Sequence, residues 1–333
     1  MSATWFEQLT GFAEAGYAAT RAKLSIDGHH LVSAVNGERY GIGVLSMPTL
    51  TELRSQTARN RGPRSTITSL IGDARALHSE PEFDRATIQV ASQFNVLEMA
   101  APSVTPEDGV TRYQHDPTQG PACAIAAGAA TIYRNYFAEV DGQVGQTNAR
   151  QLDTLAPLGA ALARRLGRPV SELWTMQNGY ALCSVPGLTA ISELLSGCSE
   201  SDLDELRGLL AVGLHRDVQV TDVREGSAHH VTQVFCSALP VSYGVRSTAW
   251  EPFARLVLEA CYESTLLAST RQPSKTVLLT RVGGGAFGND DAWIDDALVR
   301  AVRVVEHAGL DIRLVSRGSV HPSFQRLIDL WAQ

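Results

Sequence analysis

From Val231 to Trp331 the chain alternates three short apolar segments with three amphipathic ones. Val231–Ala238, Thr276–Val282 and Asp311–Ser316 are β-branched or Leu-rich and too short for helices, so they read as strands. Glu251–Ser269, Asp291–His307 and Pro322–Trp331 carry helical spacing; in the first, Phe253, Leu256, Val257, Ala260 and Leu267 share one side. Such an alternation needs crossover connections, and these lay helices over both faces of a mostly parallel sheet. The class is therefore α/β. Upstream, Ala86–Asn95 reads as a further buried strand whose polar end reaches a sheet edge, and Asp217–Val223 as another strand.

The rest of the chain decorates that core. Trp5, Phe6, Leu9, Phe12 and Ala13 recur at helical spacing, Leu31–Val35 enters an Asn36-Gly37 hairpin, and Thr51–Ala58 reads as a short helix. Arg59–Ser65 holds three arginines with Gly and Pro and is expected to be an exposed turn, with an anion-contacting loop as the alternative. Gln151–Leu210 reads as helical, with connectors at Gly167-Arg168-Pro169 and Val185-Pro186-Gly187. The expected organisation is one elaborated domain over 1–333. Its core covers about 86–137 and 217–318, with a helical insertion at about 150–212 and an N-terminal extension at 1–85.

Composition removes several function classes. With 44% apolar and 19% charged residues the chain is a folded protein, and no run approaches the roughly 18 apolar residues of a membrane span. A net charge of −7 argues against general nucleic-acid binding. MSATWFEQLTGFAEAGY lacks a basic start followed by an apolar stretch and is not expected to act as a secretion signal. Cys123, Cys183, Cys198, Cys236 and Cys261 are dispersed without zinc-ligand spacing and read as reduced thiols, so a cytoplasmic location is expected. Cys236 has no Arg at the distance a thiol phosphatase needs. The pairs His29-His30 and His229-His230 are adjacent residues that a strand points to opposite faces, so no metal site is expected.

Two loops carry the chemistry. Glu98–Pro121 is a long polar loop of the kind compact domains keep for function. It leads through Thr118-Gln119-Gly120-Pro121 into a small-residue helix, Ala122–Phe137, whose first N–H groups could hold an anion. Arg134, Asn135 and Tyr136, a helix length away, are expected to be structural. The second loop, Val282–Asp290 (VGGGAFGND), sits between a buried strand and a helix. Glycines there allow the backbone to approach a ligand and leave amides free for negative charge. Gly283, Gly285 and Gly288 match GxGxxG, but only one further strand and helix follow. That strand ends Leu314-Val315-Ser316-Arg317 without an acidic residue, so a nicotinamide-dependent oxidoreductase domain is disfavoured.

The strand with GGGAFGN resembles the second phosphate loop of macrodomain-like ADP-ribose-binding proteins, especially bacterial-type poly(ADP-ribose) glycohydrolases. The strings TQGPACA and YRNYF also look like an uncharacterised macrodomain-like group. The resemblance covers about 86–137 and 277–316 and implies a three-layer α/β/α fold with N-terminal and central helical additions. It implies a diphosphate held by Gly283, Gly284, Gly285, Ala286, Phe287, Gly288 and Asn289, and a distal ribose near Asn95 in QVASQFNVLEM. The glycine-rich first loop and the Gln-Glu-Glu triplet of the glycohydrolases are absent, replaced by TPEDG and DPTQGPACA.

Hydrolysis of a glycosidic bond needs a carboxyl to move a proton. Glu98, Glu107, Asp108 and Asp116 are the loop acids, of which Glu98, Glu107 and Asp116 are taken as acid/base candidates; each is otherwise an ordinary solvated acid. Thr118, Gln119 and Gly120 are taken as ligand contacts, with N-capping the plainer role for Thr118. The expected function is binding of ADP-ribose or a related nucleotide diphosphate, free or on an ADP-ribosylated macromolecule. Hydrolysis of an ADP-ribosyl or NAD-derived substrate is expected with it, and no cofactor; the alternative is a non-catalytic reader of such a ligand.

Overall fold

The computed structural model describes residues 3–57, 62–223 and 228–332. Seven strands form the main sheet: β1 (Val44–Ser46), β2 (Thr66–Ile71), β3 (Thr87–Ala91), β4 (Gly213–Gln219), β5 (His230–Cys236), β6 (Thr276–Leu279) and β7 (Asp311–Ser316). Their order is β1-β4-β5-β3-β6-β7-β2. β5, β3, β6, β7 and β2 pair in parallel, while β4 runs antiparallel to both β5 and β1. Both edge strands come from the stretch read as an N-terminal extension.

Strand alternation makes the layers. Ile88, Val90, Phe235 and Leu278 point to one face. Val234, Cys236, Val277, Leu279, Ile312 and Leu314 point to the other. On the first face lie α1 (Gln119–Ala126) and α2 (Gly128–Tyr136), which bring Cys123 and Ala130, with Ala127 between the two helices. On the second lie α3 (Trp250–Thr270), α4 (Asp291–Val304) and α5 (Pro322–Trp331), together with helices Ala156–Leu166 and Val185–Ser196. Sixteen of the 21 residues of α3 are buried, because it is covered by the sheet on one side and by α4 and the central helices on the others. The expected three-layer α/β/α class is the observed one. Among the described residues no helix is long and apolar enough to cross a membrane, and all five cysteines are free.

Three local expectations change. The helix expected over 122–137 breaks at Ala127, at φ −113° and ψ 58°. There Thr221 Oγ1 accepts from Gly128 N at 2.9 Å while Thr221 N donates to Ala126 O, drawing both backbone groups out of the helical ladder. The central region is not helical throughout: Trp174–Gln177 and Tyr180–Cys183 form a hairpin. Its Asn178-Gly179 turn has positive φ at both residues (46° and 80°), the geometry this dipeptide favours. The strand expected to reach Asn95 stops at Ala91. Arg59 and Arg61 of the basic stretch lie outside the described residues; Arg64 pairs with Glu306 and stacks on Trp331.

Candidate functional site

Beyond Ala91 the chain folds back on itself. Gln93 N donates to Leu97 O at 3.0 Å, and Asn95 Oδ1 accepts from Leu97 N at 3.1 Å. This turn requires positive φ at Val96 (62°), and it returns Glu98 toward the end of β3. Gln93 Oε1 fixes the next step by accepting from Met99 N at 2.6 Å. The loop that follows is braced from outside: the Glu14 carboxylate accepts from Val110 N, Thr111 N and Tyr136 Oη at 2.7–2.9 Å. α1 then starts against β3. A Cβ on Gly120 would overlap the Ala91 carbonyl, so only glycine allows this approach.

The glycine loop follows β6. Gly283 takes φ 82° and a Cβ there would strike Ala238, while Asn289 N donates to Gly283 O at 2.9 Å and closes the loop. Asn289 Nδ2 ties it to Leu239 O at 2.9 Å, and Phe287 O accepts from Ser242 N. Gly284 N is spent on Arg281 O, Gly288 N on Gly285 O and Asn289 N on Gly283 O. Gly285 N, Ala286 N and Phe287 N, three amides in sequence, donate to no described residue.

A cleft of about 310 Å³ opens between the two loops at the carboxyl ends of β3 and β6. In parallel sheets ligands bind at such ends. Two carboxyls line it, differently held. Glu98 is 2% exposed and paired with Arg134, Nη2 lying 3.1 Å from Oε1 and 3.3 Å from Oε2. Burial pushes its carboxyl up to about 7, against the pull of Arg134. Arg134 is fully buried over the Phe235 ring at 4.0 Å and also donates to Val96 O and Thr131 Oγ1. Asp116 is half-buried; its Oδ1 accepts from Thr118 N at 2.9 Å and Thr118 Oγ1 at 2.6 Å, and its Oδ2 from no described residue. The cleft's nearest cation, Arg281, is neutralised by Asp291 at 2.7 Å and Asp295 at 2.5 Å. Tyr180, Tyr243 and Phe287 make one wall, with centroids 5.2–6.0 Å apart. A second cavity of about 180 Å³ shares Ala91, Thr118, Gln119 and Arg281 with the first and runs on past Asp73 and Arg317.

Of the residues singled out from sequence, Glu98, Asp116, Thr118, Gln119, Gly120, Gly283, Gly285, Ala286 and Phe287 come together around the cleft. Glu107 does not: it is exposed and both its oxygens accept from Asn148 N at 2.9 Å, so it braces another loop. Asn95 is also outside, buried beneath the turn and bonded to Gln151 Oε1 at 2.8 Å. Gly284, Gly288 and Asn289 shape the glycine loop without lining the cleft. Gln119 stands at the cleft, but its amide is committed: Oε1 accepts from Ala91 N and Nε2 donates to Gln89 O, both at 2.7 Å, like an added strand. Thr118 Oγ1 bonds Asp116 rather than capping the helix. Gln93, Tyr180 and Tyr243 were not anticipated; the Asn178-Gly179 dipeptide was the available signal for the hairpin that delivers Tyr180. Among the described residues no group of three or more His, Cys, Asp or Glu is placed to hold a metal.

No protein-family model and no curated protein matches the chain. Among solved structures it is similar to poly(ADP-ribose) glycohydrolase from Thermomonospora curvata, at 11% identity and a TM-score of 0.48, over 95% of this chain and 97% of that one. It is similar to the same organism's glycohydrolase bound to the inhibitor ADP-HPD, at 13% identity and a TM-score of 0.42, over 95% and 97%. It is also similar to the glycohydrolase from Deinococcus radiodurans in complex with ADP-ribose, at 12% identity and a TM-score of 0.44, over 86% and 94%.

Proposed function

We propose that the cleft binds ADP-ribose or a related nucleotide diphosphate and that the protein hydrolyses a glycosidic bond of an ADP-ribosyl or NAD-derived substrate. One observation carries the reading: three consecutive unpartnered amides, of Gly285, Ala286 and Phe287, at a cleft that also holds a buried carboxyl. Unpaired backbone N–H groups in a concave loop suit phosphate oxygens. With the diphosphate on the glycine loop, the two cavities divide the ligand. Both carboxyls line the larger, so the ribosyl carbon whose bond breaks belongs there, and the nucleoside takes the smaller, past Asp73 and Arg317.

Glu98 is the acid/base group in this reading. A carboxyl raised to about 7 is half ionised at neutral pH, where it can take a proton from water or return one. Asp116 stays an acceptor at the cleft wall. A non-catalytic reader is the second reading, favoured by the double contact of Glu98 with Arg134, which also gives that carboxyl a structural task. Calorimetric titration with ADP-ribose, AMP and NAD in parallel tests the ligand class, and no heat from any of them removes it. Turnover of an ADP-ribosyl substrate, measured by release of ADP-ribose, separates the two readings. Loss of release in Glu98→Gln with ADP-ribose affinity kept supports the hydrolase; absence of release in the wild type leaves the reader.

A further inference from the structure

We propose that the larger compartment recognises a flat aromatic cation, so that the group leaving the ribosyl carbon is a pyridinium-type ring. This deepens the hydrolase reading above and rests on it. Tyr180, Tyr243 and Phe287 come from three separate segments (the central hairpin, the turn Val241–Tyr243 and the glycine loop) and converge on one wall. They pack at centroid distances of 5.2, 5.3 and 6.0 Å with interplanar angles of 58°, 49° and 78°, tilted or edge-to-face, and all three line the cleft. Tyr243 remains 41% exposed although it belongs to this cluster. Aromatic faces carry the negative side of the ring quadrupole and attract cations.

The charges of the compartment have the same sense. Asp116 keeps one carboxylate oxygen that accepts from no described residue, and the Tyr180 hydroxyl is held protonated chiefly by burial, with Tyr243 and Asp116 adding to it. Arg281 is cancelled by Asp291 and Asp295, and Arg134 is buried behind the cleft against Glu98 and the Phe235 ring rather than lining it. What remains, among the described residues lining the compartment, is a carboxylate beside aromatic rings with no free cation, a poor place for a second phosphate and a good one for a positive ring.

The chemistry agrees. When the bond from the ribosyl carbon to a pyridinium nitrogen breaks, its electron pair goes to that nitrogen and a neutral pyridine leaves without being protonated. Water's oxygen bonds the carbon, and the proton it loses passes to the Glu98 carboxylate. One carboxyl acting as base is enough, and no separate acid is needed.

The test is calorimetry on the full chain with ADP-ribose and with a carbocyclic NAD⁺ analogue that cannot be cleaved. The analogue is expected to bind wild type about tenfold more tightly than ADP-ribose. Tyr243→Ala removes most of that difference and leaves ADP-ribose within about twofold; Tyr243→Phe retains it. An analogue no tighter than ADP-ribose, or Tyr243→Ala weakening both ligands by one factor, overturns the inference while the diphosphate reading stands. Failure of ADP-ribose itself to bind overturns that reading and this inference together.

Discussion

Replacing Glu98 by Gln separates a tuned acid/base group from an ordinary ion pair. In the folded chain its carboxyl is raised from 4.5 to about 7, because burial penalises the anion more than Arg134 favours it. A group raised on folding adds stability that is fully present below its unfolded value and is lost as pH rises through the folded one. Wild type should therefore lose, relative to Glu98→Gln, on the order of 3 kcal/mol between pH 4.5 and 8. Gln keeps an oxygen for Arg134 Nη2, and Arg134 retains Val96 O, Thr131 and the Phe235 ring, so the variant is expected to fold. Urea unfolding of both proteins at half-unit pH steps measures the difference. Subtracting one curve from the other removes contributions they share, including those of the buried histidines. A difference that stays flat from pH 4.5 to 8 would mean that Arg134 keeps Glu98 ionised throughout, and the acid/base role would lose its basis.

Two further outcomes are expected. Burial holds His78 down at about 4 and His215 well below its ordinary value, so the folded state resists protonation that the unfolded chain accepts. Stability should then fall as pH drops below about 6.5, and His215→Leu, at a fully buried site, should flatten that acid limb in thermal scans. Gly120→Ala should destabilise by more than about 2 kcal/mol, because its Cβ overlaps the Ala91 carbonyl. Gly285→Ala, with open space and no left-handed φ, should stay within about 0.5 kcal/mol of wild type by chemical denaturation.

The sheet was legible because its strands are written in local chemistry. Val231–Ala238, Thr276–Val282 and Asp311–Ser316 alternate or saturate with apolar residues; β6 and β7 lie within their stretches and β5 begins one residue before its own. The glycine loop was legible for a related reason, since an unbroken Gly-Gly-Gly after a strand has few uses besides close approach. What failed depended on partners distant in sequence. The break at Ala127 is imposed by Thr221, and the commitment of the Gln119 amide by the backbone of Gln89 and Ala91. Tyr180 could not be assigned to the cleft until the hairpin that carries it had a place to dock.

That docking also explains Asn95, which resembled a ribose contact. Its Nδ2 donates to Gln151 Oε1 at 2.8 Å, Gln151 Nε2 donates to Asn178 Oδ1 at 2.7 Å, and Asn178 Nδ2 donates to Pro102 O at 2.7 Å. Phe94 N closes the other side by donating to Gly179 O at 3.0 Å. A chain of side-chain amides thus runs from the turn after β3, through the start of the central region, to the tip of the hairpin. Each link is largely buried, where losing one partner leaves another polar group unsatisfied at a cost of about 1–3 kcal/mol. The chain fixes the hairpin tip, and with it Tyr180, whose hydroxyl then reaches Met99 O at 2.6 Å. The central region is therefore a wall of the cleft rather than an appendage, and an asparagine in the turn after a buried strand serves here to hold that wall in position.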